Sequence, residues 1–325
     1  MATPATTPVA TACVGAGAGT GAGADTSNRI AGVYAVASST GTRASMLGSG
    51  SFGAVFKGVD TRTGGRVAIK VESRKAKHPQ LVYEHMVLKE LGNLCDALVE
   101  EKLLLKRPGI PTVYYFGEYG DHCLGLVMEM LGPPVSAAGL GRGHVLPPPT
   151  VAHVARCVLH TLRIMHGAGF VHRDLKPENL LWRQVPNTDP VYLIDYGLCK
   201  RVIAADGSHI EERGDKALVG TPQYAALHAH EGSELSRRDD LESLAYVLVM
   251  LAKGSLPWQD VSEEEPNERY KAMGEAKEAV RSKDLIAGIE PALGAAIQRT
   301  LYAAYNTEFA DCPDYSDLLP QWDNL

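Results

Sequence analysis

A glycine and two prolines in succession, Gly132-Pro133-Pro134, end an apolar strand-like run at residues 124–131 and split the chain into two unlike parts. Regular structure does not run through such punctuation, because proline lacks a backbone N–H and fixes its own φ. Before it, strand signals dominate. Residues 54–59 and 66–73 are strand-like, with the turn-prone stretch 60–65 between them. After it, the chain reads mainly helical. Thr150, behind three prolines, is placed to cap a helix whose apolar positions are Val151, Val154, Val158, Leu162 and Met165. Residues 241–252 are apolar nearly all round, as a buried helix requires. The expectation is an α+β chain, with an N-terminal β-rich lobe and a C-terminal helical lobe joined at a hinge. A cleft between such lobes is a common place for a ligand.

Periodicity sharpens the first part. Val67, Ile69 and Val71 alternate with Ala68, Lys70 and Glu72, so a period of two puts Ala68 and Lys70 on one face. Residues 81–91 fit a helix, with Leu81, Glu84, Leu88 and Leu91 at helical spacing.

Composition excludes several classes. The net charge is -6 over 325 residues, which does not suit a general binder of nucleic acid or acidic membranes. The six cysteines form no Cys-x-x-Cys pair, and their scatter fits a reducing compartment better than a disulfide framework. No apolar run approaches the roughly 18 residues of a membrane span. Residues 1–28 hold 19 Ala, Gly or Thr and no basic residue, which fits neither a secretory signal nor a transit peptide. We expect residues 1–29 to be a disordered tail and residues 30–325 the domain, with lobes at about 30–131 and 132–325 and the hinge at about 129–133.

Four segments carry chemistry. Gly48-Ser49-Gly50-Ser51-Phe52-Gly53 is a G-x-G-x-x-G ahead of a strand, so it does not fit the dinucleotide fingerprint, which needs a helix there. A strand-turn-strand version can fold over phosphates. Lys70 follows on the face it shares with small Ala68, which leaves room for a flat ring, and Glu84 is its natural partner. His172-Arg173-Asp174-Leu175-Lys176-Pro177-Glu178-Asn179 supplies a carboxylate, a cation two residues on and an amide five residues on. Asp195, 21 residues after Asp174, is a hard oxygen ligand suited to Mg²⁺. Two weaker candidates fall away. His228-Ala229-His230 lacks further ligands at workable spacing and reads as exposed helix or loop, and Ser243 has no nucleophile-elbow context.

In order and spacing these segments resemble a protein kinase, and several stretches resemble the casein kinase 1 group. Residues 47–53 read LGSGSFG, 126–133 LVMEMLGP, 236–244 SRRDDLESL, 254–259 GSLPWQ and 313–316 PDYS. The Ala-Pro-Glu of most kinases is absent, as in that group, and Tyr224-Ala225-Ala226-Leu227 stands in its place. The resemblance implies the bilobal protein kinase fold, a serine/threonine kinase using ATP and Mg²⁺, protein substrates, no nucleic-acid or membrane partner, a monomeric domain and a cytoplasmic or nuclear location. Asp174 would be the catalytic base and Lys176 its cationic companion, with Asn179 and Asp195 as metal ligands. Residues 48–53 with Val55, Ala68, Lys70, Glu84, Met128 (the gatekeeper), Glu129 and Leu131 would hold ATP. Asp240 would support the catalytic loop, and the alternative function is an inactive scaffold that keeps the fold.

The chain departs from the group's pattern in three places. Tyr196 replaces a Phe, Gln223 replaces the Arg of Gly-Thr-Ala-Arg-Tyr, and Asp260 replaces a Gly in the pocket that reads a phosphate on pre-phosphorylated substrates. Arg173, Lys200 and Lys216 match a second basic cluster, read here as a tie between activation segment and catalytic loop. The resemblance also leads us to expect no long C-terminal extension of the kind through which some relatives inhibit themselves.

Overall fold

The structure, a computed structural model, describes residues 29–36, 45–50, 53–138, 145–186, 188–262, 265–323 and 325. Ser51, Phe52 and the expected tail, apart from Arg29, lie outside these residues. The chain divides into two compact units. One runs to Leu94 and adds Pro111–Leu131; the other comprises Cys95–Ile110 and Gly132–Leu325.

The first unit is built on an antiparallel sheet with strands Arg29–Ile30, Tyr34–Val36, Met46–Gly50, Gly53–Asp60, Arg66–Ser73, Val113–Tyr119 and Cys123–Glu129. Gly53–Asp60 pairs with Arg66–Ser73, which pairs in turn with Cys123–Glu129. The alternation read from the sequence sets the faces. Val67, Ile69 and Val71 join Ile30, Ala54, Phe56 and Val127 in one apolar core; burying an aliphatic or aromatic side chain of this size contributes roughly 1.5–3 kcal/mol. Gly53 has a φ of 133°, and a Cβ there would run into the Val71 carbonyl, so the turn demands glycine. The apolar run after the turn at residues 120–122 is strand only over Cys123–Glu129; Met130 and Leu131 fall outside it.

The helix expected over 81–91 runs further, over Leu81–Glu100. Leu81, Glu84, Leu88 and Leu91 all lie on its buried face. Its N-terminal amides are capped from the sheet, since Glu72 accepts from Gln80 N (2.9 Å) and Leu81 N (3.2 Å).

The second unit is mainly helical, with Pro148–Gly167, Arg237–Lys253, Pro266–Ala279 and Pro291–Tyr305 as its longer helices. Thr150 does not cap the first of them. Pro147 holds the cap position and Pro148 opens the helix, because its missing N–H and preset φ suit the first turn, and Thr150 lies inside with its N–H on the Pro147 carbonyl. The buried helix expected over 241–252 begins earlier, at Arg237. Its first turn is closed by Asp239, whose carboxylate accepts from Ser236 N (2.6 Å). Gly132, Pro133 and Pro134 lie along the strand Leu180–Trp182, with Gly132 N on Trp182 O and Trp182 N on Pro133 O. No helix among the described residues is long and apolar enough to cross a membrane.

Candidate active site

In the first unit, register places four of the residues singled out in the sequence together. Val55, Lys70 and Leu126 are cross-strand neighbours, as are Lys57, Ala68 and Met128, so Val55, Ala68, Lys70 and Met128 share the face opposite the core. Lys70 reaches Glu84 from that face, Nζ to Oε2 2.6 Å, with both side chains almost wholly buried. Glu72, two residues on and on the same face, holds the start of the helix that carries Glu84. One strand therefore fixes both ends of the ion pair: Lys70 directly, and Glu84 through the cap. Glu72 was not singled out from sequence, although its period-two spacing from Lys70 was there to read. The Glu129 N–H is bonded to Thr112 O (2.9 Å), so a ring at that strand end would meet Glu129 through its carbonyl. Gly48–Gly50 pair back on Gly53–Val55 as a hairpin strand, while Leu131 ends the unit.

In the second unit the loop after the short strand Phe170–Val171 hangs from a buried carboxylate. Asp240 takes His172 N on Oδ2 (2.7 Å) and Arg173 N on Oδ1 (2.9 Å). Burial would raise its pKa, but the His166 hydrogen bond, the nearby imidazoles and the His172 N–H hold it below the ordinary value. Arg173 sits at φ 69°, a left-handed conformation costing about 1–3 kcal/mol for a residue with a side chain. The Asp240 bond and a bond from Arg173 Nε to Leu198 O (2.8 Å) hold it there. His172 is fully buried, and that burial lowers its pKa, so the ring is neutral. Its Nε2 then donates to Ile194 O (3.2 Å), and Nδ1 accepts from Asp174 N (3.3 Å).

These contacts aim Asp174. Its Oδ1 accepts from the Thr221 hydroxyl (2.7 Å) and its Oδ2 from Lys176 Nζ (2.6 Å), while Lys176 also reaches Thr221 Oγ1 (3.2 Å). Asn179 commits Nδ2 to the Asp174 carbonyl (2.9 Å), which turns its Oδ1 into the atom it can offer a cation. Asp195 follows Ile194, whose N–H is bonded to Asn179 O (2.9 Å), and Asp195 itself has a φ of 67°. Gly220 lets Thr221 approach, because a Cβ at Gly220 would run into the Arg173 carbonyl.

Two members of the basic cluster share one carboxylate. Glu234 receives Lys200 (2.6 Å) and Lys216 (3.4 Å), and although burial works against its charge, the two ammoniums keep its carboxyl below the ordinary range. The histidine pair at 228 and 230 splits, and both rings are partly buried rather than exposed. His228 bonds Asp239 (2.8 Å), while His230 bonds Tyr270 O (2.9 Å) and Lys277 (3.0 Å).

The protein kinase domain matches residues 42–289. That match covers most of the chain, and with the β-rich first unit and helical second unit it settles the class: this chain belongs to the protein kinase family. It is 34% identical over 283 residues to casein kinase I homolog 3 from Schizosaccharomyces pombe, covering 86% of this chain and 60% of that protein.

Proposed function

We propose that the chain is an ATP- and Mg²⁺-dependent protein serine/threonine kinase of the casein kinase 1 type. The observation that carries this reading is the Asp174 carboxylate, held on one oxygen by Thr221 and on the other by Lys176, on a loop suspended from Asp240. Phosphoryl transfer asks the protein mainly for position and charge. Asp174 would orient the attacking hydroxyl and accept its proton. Lys176 would stabilise charge on the transferring phosphoryl oxygens. Lys70, kept extended by Glu84, would meet the α- and β-phosphates, and Val55, Ala68 and Met128 would form the apolar bed for the base, with Glu129 and Leu131 offering backbone groups and residues 48–53 closing over the phosphates.

The donor set fits magnesium. Asp195 offers a carboxylate and Asn179 an amide oxygen, hard ligands of the kind this ion takes with substrate phosphates. Bound there, it would neutralise phosphate charge. A protein substrate, a monomeric domain spanning residues 30–325 and a cytoplasmic or nuclear setting complete the reading.

The test is incubation of purified protein with labelled ATP, Mg²⁺ and casein, followed by phosphoamino-acid analysis. Label on serine or threonine is expected. Nucleotide binding without transfer would instead identify a scaffold, and label on tyrosine would overturn the hydroxyl specificity.

A further inference from the structure

The segment that carries Thr221 has no helix or strand of its own, so its carbonyls need partners elsewhere. Thr221 O accepts from Tyr224 N (2.9 Å) and Ala225 N (3.0 Å). Gln223 O accepts from the Trp258 indole (2.8 Å). The carbonyls of Pro222 and Ala225 both converge on one atom, Lys277 Nζ, at 2.7 and 2.6 Å.

Lys277 lies on the Pro266–Ala279 helix and is 3% exposed. A third acceptor completes its surroundings. His230 gives Nδ1–H to Tyr270 O (2.9 Å), and its Nε2, which lies 3.2 Å from Pro222 O, accepts from the ammonium at 3.0 Å. That tautomer is the neutral ring, and burial together with the Lys277 charge lowers His230 to about 4. Three N–H donors thus meet three acceptors, while the Tyr246 and Trp258 rings face the same nitrogen at 5.2 and 5.3 Å. No carboxylate among the described residues is in direct contact. Burial lowers Lys277 to about 7, with Glu242 acting the other way at longer range.

A buried lysine of this kind is a poor device for stability, since an apolar side chain of similar volume is often tolerated equally well. What this one does is join two carbonyls on either side of Gln223, one and four residues from Thr221, whose hydroxyl bonds Asp174. We propose that Lys277 is a positioning residue. Its ammonium fixes residues 222–225, and through them Thr221 on Asp174, and thereby governs engagement of the protein substrate rather than of the nucleotide. The kinetic part rests on the kinase reading; the local ordering does not.

Lys277→Met keeps the length of the side chain and removes every donor. Hydrogen exchange at the Tyr224 and Ala225 amides should rise at least about tenfold, with the Arg237–Lys253 helix unchanged. Peptide kcat/KM should fall about tenfold or more, the KM for ATP should stay within about twofold, and Tm should move by no more than about 4 °C. Wild-type exchange at those two amides overturns the ordering role. Faster exchange with unchanged peptide kinetics in an active enzyme overturns the substrate role. A matched loss in both substrates with a large fall in Tm would make the residue merely structural and also overturn it. Lys277→Arg keeps a cation for the case in which Met is not tolerated. Its flat fork cannot aim at three convergent acceptors, so the same pattern is expected at about threefold. Wild-type exchange and kinetics in a folded Arg variant count against the proposal. Should the wild-type protein transfer no phosphate, the kinase reading fails, while the exchange arm still decides the ordering.

Discussion

Tyr315 and His166, 149 residues apart in sequence, meet at 2.7 Å through the tyrosine hydroxyl and the ring Nδ1. The other ring nitrogen, Nε2, lies 3.0 Å from Asp240 Oδ2 and carries the hydrogen that the carboxylate accepts, so Tyr315 is the donor. The two oxygens of Asp240 in turn hold the amides of His172 and Arg173. Tyr315 is therefore linked to the loop that carries Asp174 through a chain of buried hydrogen bonds. Tyr315→Phe leaves a buried imidazole nitrogen without its donor, at about 1–3 kcal/mol. We expect Tm to fall by about 3–6 °C and kcat by only a few-fold, because the Asp240 bonds to the loop survive. A thermal melt and steady-state kinetics check both; an unchanged Tm would show that the bond contributes nothing.

Asp174→Asn tests the proposed base. The amide cannot accept a proton from the attacking hydroxyl, and its nitrogen would face either Lys176 or Thr221, both donors to the carboxylate. A positioned base is worth about 10²–10⁴ in rate. Turnover should drop by that order while ATP affinity, measured by calorimetry, stays within about threefold. Retention of most of the turnover would remove Asp174 from the role.

How much of this was readable in advance varies with the physics behind each residue. Lys70 and Glu84 were legible because strand and helix periods each leave a pattern, and the pair formed where those patterns pointed. The apolar run starts the buried helix only at 241, because Arg237 and Asp239 look like solvent-facing charges. Yet both are buried, Arg237 on the distant Ala310 carbonyl and Asp239 on the Ser236 amide that opens the helix, and it was the family resemblance that singled out Asp240. Thr150 was misread because a good capping residue sat behind prolines that can open a helix themselves. Lys277 left no local signal at all. Its acceptors come from residues 222, 225 and 230, about fifty positions away, and only the folded chain brings them to one nitrogen.

Glu242 gives a pH-dependent test of the second unit. Burial raises its carboxyl from 4.5 to about 7, against the Tyr246 hydroxyl and the Leu227 N–H that it accepts; His228 and Asp239 lie beside it, and Lys277 feels its charge. A carboxyl raised in the folded state keeps its proton where the unfolded chain has lost it. Its contribution therefore falls as pH rises from about 4.5 to 7 and is level above that. Both accepted bonds fall on Oε1, so Gln can retain them. Glu242→Gln should be near-neutral at pH 5 and more stable than wild type by about 2–3 kcal/mol at pH 7.5, read by denaturant unfolding at the two pH values. Equal differences at both would rule the assignment out.

We predict activity without phosphorylation of the activation segment. Ser208 sits in an exposed turn with its hydroxyl on Asp206 (2.6 Å), and Thr221 is committed to Asp174. Lys200 and Lys216, which a phosphate might otherwise recruit, already share Glu234. Phosphatase-treated protein, verified by mass spectrometry, should keep its full rate. Loss of activity that Ser208→Asp restores would refute this.

Substrate choice follows from two exposed or half-exposed positions. A phosphate on a substrate carries about -1.5 to -2 charges near neutral pH and is held best by Arg forks and backbone N–H groups. Gln223 brings donors without charge, its backbone already fixed by Trp258, and Asp260 presents a carboxylate on the surface. Arg269 is exposed, with its guanidinium 5.8 Å from the Tyr270 ring centre, and one cation makes a weaker phosphate site than an Arg fork backed by amides. Matched peptides with and without a phosphoserine three residues before the target should therefore differ little in kcat/KM at about 0.15 M salt, where long-range attraction is screened. A preference above roughly tenfold, about 1.4 kcal/mol, would mean that another basic group reads the phosphate. The double variant Gln223→Arg and Asp260→Gly supplies the fork and removes the repulsion, so its preference for the phosphorylated peptide should rise. If that ratio does not move, neither residue sets the choice.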